Sequence, residues 1–133
     1  MWIAETEPGE RADALARAVI GAAIEVHHEL GPGFLEALYE EALCVELKLR
    51  GIGFQRQLLV DAAYKGQNIG QARLDLLVGS LLIVELKSVD ALAPIHTAQV
   101  LSYLKLTKKP LALLINFNAR ILKDGIKRVA LTR

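Results

Sequence analysis

The chain has 133 residues, a length that suits one domain, and 53% of them are hydrophobic, so a buried core is within reach and a wholly disordered chain is excluded. Aromatic residues make up only 5%, which leaves the core to Leu, Ile, Val and Ala. With 16 Lys and Arg against 15 Asp and Glu, the formal charge is +1; bulk charge gives no argument for nucleic-acid binding, and any basic surface has to be local. The lone cysteine, Cys44, excludes an intrachain disulfide, a CxxC pair and a Cys-rich zinc site, and is expected to pack as a small apolar residue. The opening MWIAETEPGERAD carries acids where a signal peptide needs a basic start, and no run approaches the roughly 18 apolar residues of a membrane span. The expectation is a cytoplasmic protein without a membrane partner: a flexible leader over residues 1–10, then one domain over 11–133.

In chain order, Leu15, Val19, Ala22, Ala23, Val26 and Leu30 recur at helical spacing and predict a helix from about Arg11 to Leu30, stopped by Gly31-Pro32-Gly33. A second helix is predicted from Leu35 to Arg50, with Leu38, Ala42, Val45 and Leu49 on one face and Gly51 and Gly53 after it. Phe54–Tyr64 reads as a strand, Lys65–Asn68 as a turn, Ile69–Val78 as a second strand, and Leu81–Val89 as a third after Gly79-Ser80. Pro94 suits the first position of a helix running to Thr107. Leu111–Phe117 is a continuous apolar run typical of a strand buried on both faces, and Ile126–Leu131 reads as a short edge strand. A meander followed by a helical crossover argues for an α/β sandwich with a mixed sheet.

The third strand, LLIVELKSV, interrupts an apolar run with Glu85 and Lys87, which share a strand face because they are two apart. The preceding strand offers Asp75 among leucines. Buried charges cost several kcal/mol each unless paired or bound, so three of them on adjacent strands suggest a site. A salt-bridge network on a solvent-facing side of the sheet accounts for the same residues, and register separates the two readings. A two-residue loop at Gly79-Ser80 would pair Asp75 with Val84 and face it away from Glu85; a three-residue loop or a bulge would set Asp75 opposite Glu85. The site reading predicts the irregular loop.

The spacing Asp75-x9-Glu85-x-Lys87 resembles the signature of the PD-(D/E)xK nuclease superfamily. Gly33-x-x-Glu36-x-x-Tyr39 resembles that of its small GxxExxY branch, as do AIEVHHELGPG, the Arg73-x-Asp75 pair, VELKSV, His96-x-x-Gln99-x-x-x-Tyr103-Leu104-Lys105, LLINF and LKDGIKR. The likeness runs from about residue 12 to 131; the superfamily's Pro before the Asp is missing, with Arg73-Leu74 in its place. It implies a restriction-endonuclease-like three-layer sandwich, with an α-β-β-β-α-β core plus an extra N-terminal helix.

The resemblance further implies a metal-dependent phosphodiesterase acting on nucleic acid, a DNA nuclease, with Mg²⁺ or Mn²⁺ as cofactor. Asp75, Glu85, Glu36 and the Leu86 carbonyl would supply hard oxygen ligands, and Lys87 would assist the attacking water. Gln99 lies one helical turn before Tyr103 and one after His96, so the three can share a helix face, with Gln99 favoured as the site residue. Arg73, His96, Tyr103, Tyr39 and His27 are second-rank candidates. His27 and His28 point to different helix faces and cannot easily chelate one ion; Glu40 is expected on a solvated acidic face. Lys105, Lys108, Lys109, Lys123, Lys127, Arg128 and Arg133 are candidates for a phosphate-tracking rim, with plain surface charge as the alternative. A cut across a duplex would suit a two-fold homodimer, although no interface is legible. The competing function is a catalytically silent nuclease-fold module that binds nucleic acid or protein.

Overall fold

The computed structural model describes residues 9–131. It contains α1 (Glu10–Leu30), α2 (Glu36–Leu49), β1 (Phe54–Tyr64), β2 (Gln67–Val78), β3 (Leu82–Lys87), α3 (Pro94–Thr107), β4 (Leu111–Asn116), a 3-10 turn (Leu122–Gly125) and β5 (Ile126–Val129). Of the leader expected over 1–10, residues 1–8 lie outside the described residues, and Glu10 already opens α1. The five strands form one sheet in the order β1-β2-β3-β4-β5, with β3 and β4 parallel and every other pair antiparallel.

Strand alternation sorts the apolar side chains into two layers. Leu82, Val84 and Leu86 of β3 and Leu111, Leu113 and Ile115 of β4 pack with α1 and α2. Ile83 of β3 and Ala112 and Leu114 of β4 pack with Val100 and Leu104 of α3. The result is the expected three-layer sandwich, two helices over one face and one over the other. β4 is buried along its whole length because both of its faces are covered and both of its edges are paired.

Three expectations shift. The turn read over Lys65–Asn68 contracts to Lys65-Gly66, with φ of 49° and 80°, and Tyr64 pairs directly with Gln67; two left-handed residues in a row match the twist of a tight hairpin. β3 stops at Lys87 rather than Val89, because the Asn116 side chain takes both the Val89 N–H (3.1 Å) and the Val89 C=O (2.9 Å). The larger correction concerns α2. It buries Tyr39, Glu40, Leu43, Cys44 and Leu47, while of the face predicted from Leu38, Ala42, Val45 and Leu49 only Ala42 touches the core and the other three are exposed. The helix carries two apolar faces, and the one with the aromatic ring and the longer unbroken packing wins the core.

The β2–β3 connection decides the site. Val78 pairs with Leu82, Leu77 with Ile83 and Leu76 with Val84, which leaves a three-residue loop, Gly79–Leu81. Gly79 (φ 57°) and Ser80 (φ 60°) are both left-handed. A Cβ on Gly79 would stand 2.7 Å from the Leu15 side chain of α1, so the loop is pressed against the helix as well as twisted. Extending this register sets Asp75 across from Glu85, the irregular arrangement that a site requires.

Candidate active site

β2 and β3 stop pairing as strands at Leu76 and Val84, and beyond that point side chains replace the ladder. Glu85 Oε1 accepts the Asp75 N–H at 2.9 Å, and Asp75 Oδ2 accepts the Leu86 N–H at 2.9 Å. Each carboxylate thus holds a backbone donor of the opposite strand, which sets the two acids side by side. Glu85 is buried. Burial first, and the neighbouring Asp75 charge second, push its carboxyl up to about 8. Two acids this close cannot both ionise cheaply; a shared proton or a cation relieves them.

A local switch of strand face helps to present Asp75. Leu76 and Val78 belong to the α1/α2 layer, yet Leu74 belongs to the α3 layer, so alternation breaks at Asp75. The partner strand breaks at the same level: Gln57 is left-handed (φ 50°), and the Gln57–Asp75 pair is skipped between Arg56–Leu76 and Leu58–Leu74. Glu40 of α2 fixes this kink. Its Oε1 accepts from Gln57 Nε2 at 2.8 Å and its Oε2 from Arg56 Nη2 at 2.9 Å. Glu40 is therefore a buried clamp rather than part of a solvated acidic face; its charge is compensated by two donors.

Lys87 follows Glu85 on the same strand face, and its Nζ lies 3.4 Å from Gln99 Oε1 on α3. One turn along α3, Tyr103 is close enough to Glu85, Asp75 and Arg73 to feel their charges; burial, then Glu85 and Asp75, raises its phenol above the ordinary range. Glu36 arrives from the opposite layer, in the first turn of α2. Burial and then the Asp75 charge raise its carboxyl, and Lys87 pulls it back down, so it too faces this end of the sheet. Asp75, Glu85, Lys87, Glu36, Gln99, Tyr103 and Arg73 thus gather where β2 leaves β3. The Leu86 side chain is buried in the α1/α2 layer, so only its backbone is available here.

Tyr39, His27 and His96 each engage a polar atom with backbone outside the acid pair. The Tyr39 hydroxyl donates to Gly31 O and accepts the Phe34 N–H (3.1 Å), while its ring stacks on Phe117 at 4.7 Å. The Ser88 hydroxyl donates to Phe34 O at 2.7 Å, tying the same loop to the chain just after Lys87. Gly33 (φ 108°) turns that loop. In Gly33-x-x-Glu36-x-x-Tyr39, then, glycine and tyrosine shape and anchor the turn that delivers Glu36. His27 Nε2 lies 2.7 Å from Ala119 O, and His96 Nδ1 accepts the Ala93 N–H at the start of α3 (2.9 Å). Of the basic residues, Arg128 pairs with Asp13 of α1, whereas its neighbour Lys127 lines a cavity beside Leu92 and Pro94 of the α3 layer, so these two do not share one rim. Arg133 lies outside the described residues.

Asn116, absent from the sequence-derived set, is the main support of the Glu85–Lys87 segment. It is buried, pairs in register with Lys87, and satisfies both polar groups of Val89. Its one signal was a polar side chain closing a fully apolar strand. Asn116→Ala leaves Val89 N–H and C=O unpaired and is expected to cost about 2–3 kcal/mol, read as a lower denaturant midpoint and faster amide exchange at Val89.

The mixed sheet between unequal helical layers, with an acid pair and a lysine at one strand end, defines a restriction-endonuclease-like fold. The chain belongs to the PD-(D/E)XK nuclease superfamily: the profile of that superfamily matches residues 13–129 and corresponds to the GxxExxY family. Searches of curated proteins and of solved structures return no significant match. Among the described residues no helix is long and apolar enough to cross a membrane.

The superfamily typically uses divalent metal ions. Among the described residues no three His, Cys, Asp or Glu side chains form a ready cage. The donor chemistry nonetheless fits a hard cation: two adjoining carboxylates, one of them buried and held back from ionising, with a third acid facing them from α2.

Proposed function

We propose that the chain is a metal-dependent phosphodiesterase that cleaves nucleic acid, with DNA as substrate and Mg²⁺ or Mn²⁺ as cofactor. The observation that carries this reading is the register across the Gly79–Leu81 loop, which brings Asp75, Glu85 and Lys87 to one end of the sheet beneath Gln99. Asp75, Glu85 and the Leu86 carbonyl would hold the ion, with Glu36 completing the shell from α2. Such an ion polarises a phosphate oxygen and lowers the pKa of a bound water.

The protein's own groups do the rest. Lys87, whose charge acts on Glu85 and Glu36, would orient the attacking water and offset charge developing on the phosphate. Gln99 limits where Lys87 Nζ can point. Glu40, Gln57 and Arg56 keep the kink that aims Asp75, and Tyr39 keeps the loop that aims Glu36.

Metal binding tests the reading before any substrate is known. Saturating Mg²⁺ or Mn²⁺ is expected to raise the melting temperature by several degrees, since a ligand at 100 times its Kd adds about 2.7 kcal/mol. Asp75→Asn keeps an acceptor for the Leu86 N–H and is expected to remove that gain. If neither ion shifts the transition, the catalytic assignment is wrong.

A further inference from the structure

We infer that the outward face of α2 is a self-association surface, covered by α2 of a second copy of this chain running antiparallel to it. The inference rests on that helix alone and does not need the nuclease reading. Leu35, Leu38, Val45 and Leu49 are 77%, 51%, 58% and 76% exposed, and Ala42, half-buried and also in contact with the core, lies between them. Within the helix 38/42/45/49 keeps the alternating four-and-three step of a two-helix seam, and Leu35 continues it from the extended residue just before the helix. Scattered exposed leucines need no explanation, but a continuous stripe at seam spacing on a helix whose other face already fills the core does.

Charge favours a second copy in one orientation. Glu41 flanks the stripe in the N-terminal half of α2, and Lys48 flanks the same side in the C-terminal half. Glu41 meets Arg56 of its own chain, yet its side chain stays 66% exposed and can serve a second cation. An antiparallel two-fold pairing, with Ala42 against the partner's Val45 and Leu38 against the partner's Leu49, lays Glu41 beside the partner's Lys48, twice. A parallel pairing would bring like charges together instead. Since Glu36 opens the same helix, the pair would carry two candidate sites related by a two-fold axis.

Light scattering after size exclusion, run over a concentration series, tests this. The unmodified chain is expected to reach the mass of a dimer as concentration rises. Leu38→Lys with Val45→Lys is expected to be monomeric throughout at an unchanged melting temperature, because both positions are exposed. Lys48→Glu is expected to weaken association about tenfold, and Glu41→Lys combined with Lys48→Glu to restore it. A native chain that stays monomeric overturns the inference, whether or not it captures another protein. So does a dimer indifferent to the lysines in the stripe. Should the double lysine variant fail to fold, the charge pair decides: association that ignores Lys48→Glu overturns the antiparallel copy.

Discussion

Replacing Lys87 with methionine is expected to lower the rate of nucleic-acid cleavage by about 10²–10⁴-fold, the range for loss of a group that assists proton movement or stabilises developing charge. The folded protein is expected to survive the change. Lys87 is only partly buried, and among the described residues its one side-chain bond is the long contact with Gln99 at 3.4 Å. Its charge otherwise acts on Glu85 and Glu36, drawing both carboxyl groups down. Removing an ammonium from beside a cation site takes away a repulsion, so Mn²⁺ affinity is expected to hold or to rise while turnover falls. That split separates Lys87 from the carboxylates, whose loss is expected to abolish both. Cleavage of plasmid and oligonucleotide substrates in Mn²⁺, beside a Mn²⁺ titration of the same two proteins, measures it. Variant and parent cutting at equal rates would place the activity outside this site. A parent that binds nucleic acid and Mn²⁺ without cutting would instead favour the catalytically silent module.

Much of this was legible because it depends on alternation. In β3 the apolar residues at 82, 84 and 86 and the charged ones at 85 and 87 divide between two faces, so Glu85 and Lys87 were bound to point the same way. The Asp75–Glu85 relation could be stated only as a condition on the loop, because a single residue in the Gly79–Leu81 turn reverses every side chain beyond it. Which face of α2 turns inward is not legible, because two stripes are written on one helix and periodicity alone does not rank them; Tyr39, with its ring on Phe117, does. The clamp of Glu40 on Arg56 and Gln57 left no trace at all. It depends on a left-handed glutamine, a conformation that no local residue preference announces. His96, a second-rank candidate from its spacing to Gln99, stands three residues past Ala93, where a helix start needs an acceptor, a use that spacing alone does not reveal.

Raising the pH is expected to destabilise the metal-free protein, and Glu85→Gln is expected to remove most of that dependence. Burial and the Asp75 charge lift the folded-state Glu85 carboxyl from its ordinary 4.5 to about 8. A raised acid holds its proton in the folded state over a range where the unfolded chain has already lost it. Unfolding then releases that proton, and stability falls with each increment of pH. The contribution is fully present below about 4.5, is lost progressively up to about 8, and is flat beyond. Glutamine keeps an oxygen for the Asp75 N–H and carries no proton to release. Thermal melts of the two proteins across this window, in chelator, are expected to diverge, with the parent falling more steeply toward alkaline pH. In Mn²⁺ the divergence is expected to shrink, because a cation between the carboxyl groups does at high pH what the proton does at low pH, and its own stabilising effect grows as the proton leaves. Parallel curves for parent and variant in chelator would mean that Glu85 is ionised in the folded state throughout, and the tension that makes this pair receptive to a cation would be absent.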